Sequence, residues 1–441
     1  MILIVVDTLR ADHLSCYGEE APPTPTLDAL ASESLRFTQT RSSAPFTFAS
    51  MCSILTGLAP TVHLGLHPTT ALPPAVPTLA ERMRDAGYLT GAIVRNPSLS
   101  PACGIDRGFE EYHFQREPRP PSALGEVVLR WLMPEIYLPQ VGAEVQTRRA
   151  SEWIERYKDR NFFLWIQYFD PHMAYAPPRE FLPEGYRPPR IGTSFGDAER
   201  VRGGFFVPDQ EEREYIRSLY AAEVRYLDSQ IGGIFETLKR LDLYEDSLIV
   251  FTSDHGEEFW EHGGFEHGHA MYDETISVPF MIKLPGETSP RGPIDEAVSN
   301  QSVTPTVLEL AGLPFEADDL SAPALVKRSD SGFVVDARAR PLVTSAMLYF
   351  EDRTAVVFDG YKYVRYHITK AEELFDLRAD PGERANLAAQ DSAELRQGRQ
   401  LFHEHLAQAD ALRQRYNIHG SEEAALDERI RADLRSLGYV R

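Results

Sequence analysis

Apolar runs without polar alternation recur along the chain, and a polar side chain ends each of them. The runs read ILIVV, YLTGAIV, NFFLWIQYF and SLIVFTS. Continuous runs of this kind are typical of strands buried on both faces, as in a parallel sheet covered by helices. The polar residues that follow the four runs are Asp7; Arg95 and Asn96; Asp170 and His172; and Asp254 and His255.

Segments with helical periodicity separate these runs. The longest helix is predicted over 211–241, with a buried stripe formed by Tyr220, Val224, Leu227, Ile231 and Phe235. Alternating strands and helices predict an α/β fold, with a large, mixed but mostly parallel sheet flanked by helices. In open sheets of this class the chemistry lies beyond the carboxyl ends of the strands, which is where the polar residues fall.

The last hundred residues follow a different pattern. Short strand-like segments (PLVTSAMLYF, RTAVVFDG and YKYVRYHI) begin near residue 337 and are followed by helical segments. They predict a smaller C-terminal antiparallel α+β domain, so we expect a catalytic α/β domain at 1–318 and a second domain at 337–441. Two stretches rich in Pro, Gly and Arg, at 100–150 and 177–208, predict long loops over the sheet.

Charge and composition narrow the choice of partners and location. The formal net charge is −21, which argues against nucleic acid and against an anionic membrane as a partner. The three cysteines lack the spacing of a disulfide framework or a zinc site. No apolar run reaches the length of a membrane span, and no signal-type segment precedes the first strand. We therefore expect no membrane segment and a cytoplasmic location, or export if a leader precedes Met1.

Three of the strand-end residues suit a divalent cation. Asp7, Asp254 and His255 offer two carboxylates and one imidazole, which is a half-shell typical of Mn²⁺ or Zn²⁺. Ca²⁺ usually takes more oxygen ligands and is the less favoured metal. The alternative for each aspartate is a helix N-cap that follows its strand. Because all three residues occupy equivalent topological positions, we expect one bound metal ion, whose positive charge would attract an anionic substrate.

Six motifs follow one another along nearly the whole chain. They read ILIVVDTLRADHLSCYG, SILTGLAPTVH, FDPHMAYAPP, YLDSQIGGIFETLKRLDLYEDSLIVFTSDHGEEFWEHG, MYDETISVPFMIKLPG and ELFDLRADPGERANLA. In this order they resemble successive signatures of the sulfatase family, which belongs to the alkaline phosphatase superfamily. The resemblance implies a metal-dependent ester hydrolase in which a small C-terminal sheet domain follows a large α/β domain.

The segment SSAPFTFASMCSILTG matches the family region that carries the nucleophile. In typical sulfatases a Cys or Ser lies ten positions before the final Gly and is oxidised to formylglycine. The final Gly here is Gly57, so the matching residue is Thr47, whereas Cys52 and Ser43 lie out of register. The resemblance therefore identifies a threonine-nucleophile variant without the formylglycine motif, in which Thr47 is also the fourth metal ligand. The alternative is that Thr47 merely caps the helix.

A threonine at this position bears on the substrate. Its hydroxyl is a poor nucleophile unless a neighbouring metal ion lowers its pKa. Water can hydrolyse a phospho-threonine by attacking phosphorus, whereas a sulfo-threonine is harder to resolve. This difference favours a phosphoester, phosphodiester or phosphonate as the substrate. The alternatives are a sulfate ester, transfer of a phospho group to an alcohol, and a binding protein without catalysis.

The resemblance also implies roles for residues around the nucleophile. His172 matches a family histidine near the transferred group, and His267 falls where relatives carry a Lys or His that contacts the anion. His267 is expected to protonate the leaving oxygen. Arg95, with Asn96 from the same turn, falls near a family lysine and is expected to bind the substrate anion.

Two departures from the family pattern concern the same region. Thr8 stands where typical sulfatases have a second acid, which weakens the expectation of Ca²⁺. Ala49 and Met51 replace the Pro and Arg of the nucleophile motif. Loss of this arginine removes a group that supports the nucleophile in sulfatases, and it slightly favours the non-catalytic alternative.

Overall fold

The computed structural model describes residues 1–115, 142–186, 200–201, 205–286, 289–330 and 332–440. An eight-stranded sheet forms the centre of the molecule. In chain order its strands are β1 (Ile2–Val6), β2 (Leu35–Phe37), β3 (Leu89–Val94), β4 (Glu111–Phe114), β5 (Phe162–Tyr168), β6 (Ile249–Ser253), β7 (Phe280–Lys283) and β8 (Gly292–Ile294). Their order across the sheet is β8-β2-β7-β6-β1-β5-β3-β4.

The strand directions confirm a mixed, mostly parallel sheet. The neighbours β6, β1, β5, β3 and β4 all run the same way. Of the eight described strands, only β7 runs against the others. The carboxyl ends of β6, β1, β5 and β3 therefore lie side by side, and the polar residues that follow them meet at one edge of the sheet.

Helices and core side chains cover both faces of this sheet. Leu3 and Val5 of β1 pack in a hydrophobic cluster with the helix Thr47–Thr56, whereas the alternate residues of β1 pack with the long helix Gln210–Arg240. All five β1 side chains are buried. Burial on two faces explains why the sequence of this strand shows no polar alternation.

The long predicted helix is present, and all five residues of its predicted stripe are buried. None of the described helices combines the length and the hydropathy that crossing a bilayer requires. The α-helices among the described residues are α1 (Pro25–Ser32), α2 (Thr47–Thr56), α3 (Pro60–His63), α4 (Leu79–Asp85), α5 (Ala143–Tyr157), α6 (Gln210–Arg240), α7 (Asp273–Ile276), α8 (Val303–Ala311), α9 (Ala393–Arg415) and α10 (Glu428–Ser436).

The loop prediction for 100–150 was wrong in two places. β4 adds a strand to the main sheet, and its side chains are only half-buried or exposed, so it lacks the continuous apolar run of the other strands. α5 begins at Ala143 and buries residues with helical spacing, a periodicity that the local Pro and Arg content concealed. Residues 116–141, 187–199 and 202–204 of the two predicted loops lie outside the described residues.

A second, smaller sheet confirms the antiparallel pattern predicted for the C-terminal region. Its strands are β9 (Leu342–Ser345), β10 (Arg353–Phe358), β11 (Tyr361–Tyr366) and β12 (Glu372–Asp376), in that spatial order. Side chains of α9 pack against this sheet. In contrast, α10 returns to the large sheet, where Ile430 and Leu434 join the main core. The boundaries at 318 and 337 stay a prediction.

Candidate active site

The predicted metal ligands meet at the carboxyl ends of β1 and β6. These strands are parallel neighbours, with Val6 paired to Ser253, so the residues that follow them lie together. Ligand atoms of Asp7, Asp254 and His255 all lie within 4.8 Å of one another, and all three side chains are fully buried. Among the described residues, the structure therefore forms the predicted three-residue cluster.

The hydrogen bonds of these residues leave lone pairs directed at one another. His255 Nδ1 donates to Gly256 O at 2.9 Å, so its Nε2 carries the lone pair. That atom lies 3.5 Å from Asp254 Oδ2 and 3.7 Å from Asp7 Oδ1. Asp254 Oδ1 accepts the N–H groups of Thr8 and His255, whereas Oδ2 meets no hydrogen-bond donor in the described parts of the chain. A buried, unsatisfied carboxylate oxygen beside an imidazole lone pair fits a divalent cation.

Burial shifts the pKa values of all three residues of this cluster. Burial raises the pKa of Asp254 to about 7. The pKa of Asp7 is raised well above its usual range, first by burial and then by the charge of Asp254. Burial also lowers the pKa of His255, which favours the neutral imidazole that binds metals. A cation would offset the cost of holding the two carboxylates charged.

We expect the metal-free protein to lose stability as the pH rises from about 5 to about 8. Asp254 has a raised pKa in the folded state, so the folded protein binds more protons than the unfolded chain in this window, and stability falls as those protons leave. The contribution should be about 1–3 kcal/mol. Urea unfolding of chelator-treated wild type and Asp254→Asn at both pH values measures it, and the variant should lose less. An equal pH dependence in the two proteins would contradict this assignment.

Thr47 lies beside this cluster, at the N-terminus of α2. Phe46 precedes the helix in an extended conformation and Thr47 is the first helical residue, so its hydroxyl does not act as the N-cap. Thr47 Oγ1 lies 3.3 Å from His255 Nε2 and 3.4 Å from Asp7 Oδ1. The positive end of the helix dipole favours negative charge at this position. The geometry therefore brings the predicted nucleophile to the predicted metal ligands.

Asn96 and Gln167 hold Asp7 and Thr47 in place. Asn96 Nδ2 donates to Asp7 Oδ2 at 2.7 Å and lies 3.2 Å from Thr47 Oγ1. The side-chain oxygen of Asn96, Oδ1, accepts the N–H of Ser98, which fixes the orientation of the Asn96 side-chain amide. Gln167 Nε2 donates to the same Asp7 oxygen at 3.1 Å. Asn96 is thus a neighbour of the Thr47 hydroxyl, and its substrate-binding role stays a prediction.

Cys52 lies on the same helix as Thr47 but is a core residue, as predicted. Its side chain is fully buried, and burial raises the pKa of its thiol well above the usual value. We expect Cys52→Ala to keep kcat/KM within about twofold and to lower the free energy of unfolding by about 1 kcal/mol. Ester hydrolysis assays and urea unfolding measure the two effects. Loss of turnover, or an oxidised side chain at position 52 by mass spectrometry, would contradict this.

His172 and His267 lie together, next to His255. Their ring centroids are 5.1 Å apart, and that of His267 is 4.4 Å from the ring of His255. His172 Nδ1 donates to Met173 O at 2.6 Å, and burial lowers the pKa of His172 to about 3, so its Nε2 is a hydrogen-bond acceptor. His172 is therefore neutral and presents no proton at this atom.

His267 is paired with a buried carboxyl group. Its Nδ1 lies 2.9 Å from Glu257 Oε1, and Tyr175 donates to the other oxygen of this carboxyl. Burial, followed by the charge of Glu266, raises the pKa of Glu257 well above its usual range, so the pair retains a proton. The protonated Glu257 carboxyl group donates its hydrogen to His267 Nδ1. The neutral imidazole then carries its own N–H on the other ring nitrogen, Nε2. His267 is thus the histidine suited to donate a proton.

Arg95 lies at the end of β3, near the histidines. Its Nη1 is 3.5 Å from Asp170 Oδ2, and its guanidinium lies 5.1 Å from the centre of the Phe169 ring. The Asp170 carboxylate offsets part of its positive charge. Binding of the substrate anion by Arg95 stays a prediction.

Comparison with known proteins assigns this site to a family. The sequence profile of the sulfatase family matches residues 1–313, the part of the chain that contains the predicted metal ligands and Thr47. The chain belongs to the sulfatase family. A second profile, described as N-sulphoglucosamine sulphohydrolase, C-terminal, matches residues 260–411. Sulfatases are metal-dependent hydrolases, and the cluster of Asp7, Asp254 and His255 is the possible metal site of this one.

Relatives of this sulfatase-family protein carry names that span different esters. A multifunctional alkaline phosphatase superfamily protein from Trinickia caryophylli is 27% identical over 88% of this chain and 91% of its own length. A choline-sulfatase from Rhizobium meliloti is 27% identical over 88% of this chain and 82% of its own. The structure of a phosphonate monoester hydrolase from Agrobacterium radiobacter superposes with a TM-score of 0.70 over 94% of this chain and 95% of its own, at 20% identity, and shares the fold. Family membership thus makes the chain an ester hydrolase without naming its ester.

Three residues of this sulfatase-family site were not predicted from the sequence. Gln167 is a polar residue inside an otherwise apolar strand, and that interruption was an available signal. Glu257 directly follows the DHG segment and is adjacent to Glu258. The sequence does not indicate which of these two glutamates faces the site. Tyr439 comes from the last turn of the chain, and only the folded arrangement brings it to His172, as its hydroxyl lies 2.8 Å from that ring.

Proposed function

We propose that this sulfatase-family hydrolase cleaves a phosphorus ester, namely a phosphoester, phosphodiester or phosphonate, with Thr47 as its nucleophile. The position of the Thr47 hydroxyl carries the proposal, because it lies 3.3 Å from His255 Nε2 and 3.4 Å from Asp7 Oδ1 at a helix N-terminus. The matching residue of formylglycine sulfatases is absent from this sequence. The buried thiol of Cys52 is five residues away along the same helix and does not replace it.

The residues around Thr47 would prepare it for attack. Asp7, Asp254, His255 and Thr47 would hold one divalent cation, which would supply positive charge that lowers the pKa of the hydroxyl and polarises the substrate. Asn96 holds Asp7 and orients the Thr47 hydroxyl through one amide group. The N-terminus of α2 adds favourable potential for a negative charge at Thr47.

Bond formation and bond cleavage can be assigned to named atoms. As Thr47 Oγ1 forms a bond to phosphorus, its proton passes to solvent. The bond between phosphorus and the ester oxygen breaks, and that oxygen leaves as the alcohol with the proton from His267 Nε2. Glu257 orients His267 and shares its proton. A water molecule then attacks the phosphorus of the phospho-threonine and gives one proton back to His267 Nε2. The phosphorus–Oγ1 bond breaks, and Thr47 Oγ1 takes up a proton from solvent, which restores the hydroxyl. Arg95 would contact the anion from the end of β3.

The choice between phosphorus and sulfur esters rests on the second step. Water attacking phosphorus can release a phospho-threonine, whereas a sulfo-threonine lacks the hydrate route that formylglycine provides. The fold shared with a phosphonate monoester hydrolase is compatible with this preference. Sulfate-ester hydrolysis is the second candidate, and the similarity to a choline-sulfatase favours it.

The test is a comparison of kcat/KM for metal-reconstituted protein on nitrophenyl phosphate, phosphodiester, phosphonate and sulfate. We expect the best phosphorus ester to exceed the sulfate by at least about tenfold. A preference for sulfate would overturn the proposal, and Ser43 and Cys52 would then have to be checked for oxidation. Bound metal without turnover of any ester would identify a binding protein.

A further inference from the structure

The last turn of the chain is built to place Tyr439 inside the site. After α10, Gly438 takes a left-handed conformation with φ of 73°. The Gly438 N–H bonds to Arg435 O, and the Tyr439 N–H bonds to Leu434 O, each at 3.0 Å. This Schellman arrangement turns the chain back toward the large sheet. Tyr349 Oη donates to Gly438 O at 3.1 Å and ties the turn to the rest of the protein.

Apolar packing holds the same turn in place. Leu434 is fully buried in the main core, and Leu437, one residue before the glycine, is buried there as well. Only about a twentieth of Tyr439 is exposed. Buried side chains and three hydrogen bonds thus give this turn a defined conformation.

The Tyr439 hydroxyl lies between the two site histidines. It is 2.8 Å from His172 Nε2 and 3.4 Å from His267 Nε2. The Tyr439 ring meets each imidazole edge-on, at centroid distances of 6.3 Å and 6.1 Å. One phenol thus contacts residues from two separate loops, and the ring of one of them, His267, lies 4.4 Å from the ring of His255 in the predicted metal site.

The proton arrangement makes this phenol a donor. His172 has its proton on Nδ1, directed at Met173 O, so its Nε2 can only accept the Tyr439 O–H. Burial, followed by the charge of Asp7, raises the pKa of Tyr439 well above its ordinary value, so the phenol keeps its proton. His172 alone offers no N–H to an anion at this face. Rotation about the C–O bond of Tyr439 can redirect its proton to an arriving oxygen.

We propose that Tyr439 is a further substrate-contacting residue, whose hydroxyl donates a hydrogen bond to the anionic group that binds between His172 and His267. The inference rests on the proposed function, because it takes the reacting ester to lie over Thr47. It makes the last turn of the chain a part of the active site. Because the backbone of this turn is anchored, Tyr439 stays in the site when substrate binds and donates a hydrogen bond to it. It does not block the site and does not have to move away first.

The test compares anion affinity in full-length, manganese-loaded wild type and Tyr439→Phe, with inorganic phosphate and orthovanadate as probes in titration calorimetry. Tyr439→Phe keeps the ring and removes the hydroxyl, so we expect Kd to rise about tenfold for both anions. Tyr363→Phe is the matched control, since it removes a buried hydroxyl that bonds to Glu372 in the small sheet. It should leave Kd unchanged within about twofold.

A second variant tests the anchor of the turn. Tyr349→Phe removes the hydrogen bond to Gly438 O and leaves Tyr439 in the chain, so we expect a smaller rise in Kd, about threefold. Unchanged or tighter anion binding by Tyr439→Phe would overturn the proposal. Tighter binding would show that the Tyr439 hydroxyl obstructs the anion. Failure of wild type to bind either anion would also overturn it. If wild type binds phosphate but hydrolyses no ester, the proposed function fails while the affinities still decide the role of Tyr439.

Discussion

Replacing Thr47 with alanine is expected to lower kcat/KM for the preferred ester by at least about 10³-fold. The substitution removes the attacking oxygen but leaves Asp7, Asp254 and His255 to bind the metal ion. Steady-state kinetics on manganese-loaded protein measure the loss. Acid quenching of wild type during turnover, followed by peptide mass spectrometry, should locate a phosphoryl group on Thr47 and none in the variant.

Thr56→Ala provides the matched control for this experiment. Thr56 is a buried threonine at the other end of the same helix, and its hydroxyl donates to Cys52 O at 2.6 Å. Its loss should reduce stability by about 1 kcal/mol and leave the turnover of folded enzyme intact. Thr47→Ser should retain measurable activity, because it keeps a hydroxyl in the same place. Turnover by Thr47→Ala within about tenfold of wild type would exclude Thr47 as the nucleophile.

Replacing Asp254 with asparagine is expected to weaken Mn²⁺ binding by at least about 100-fold. Asp254 Oδ2 is buried without a hydrogen-bond donor among the described residues, so a cation is its natural partner and an amide cannot replace its charge. Titration calorimetry measures the affinity directly. Wild type should also gain about 2.7 kcal/mol of stability when the metal is present at a hundred times its Kd, and the variant should gain little at the same concentration.

Asp246→Asn is the control for the metal experiment. Asp246 is an exposed carboxylate that precedes β6, at the end of the strand opposite to Asp254. Its removal changes the net charge by the same amount without touching the cluster, so Mn²⁺ affinity should stay within about twofold. Equal loss of affinity in both variants would mean that the ion is held by general surface charge. Retention of tight binding by Asp254→Asn would exclude the buried cluster as the metal site.

Strand positions and the metal ligands were accessible from the sequence for a definite reason. A strand buried on both faces carries a mostly apolar run, and Asp7 and Asp254 each come directly after such a run. The residue pattern alone therefore places Asp7 and Asp254 at the ends of buried strands. The register to Gly57, taken from the family resemblance, pointed to Thr47, which the fold brings to 3.3 Å from His255 Nε2.

Elements without that signature were missed. β4 is a half-exposed edge strand without an apolar run, and α5 begins in a stretch whose composition resembles a loop. The partners of the ligands were equally hard to predict, because hydrogen bonds such as Gln167 to Asp7 join positions 160 residues apart. The sequence around one residue does not indicate which distant side chain will form a hydrogen bond with it.

Buried strands and the turns between them leave recognisable patterns of apolar and polar residues in the sequence. These patterns were enough to predict the class of fold, the edge of the sheet where chemistry occurs and the types of metal-binding residue. The protons available in the site, in contrast, follow from the hydrogen bonds and the burial of side chains in the folded chain. The tautomer of His172 depends on a carbonyl beside it, the proton of His267 depends on the burial of Glu257, and Tyr439 arrives from the far end of the chain. Hydrogen-bond direction and dielectric environment are set by packing, so they exist only once the chain has folded.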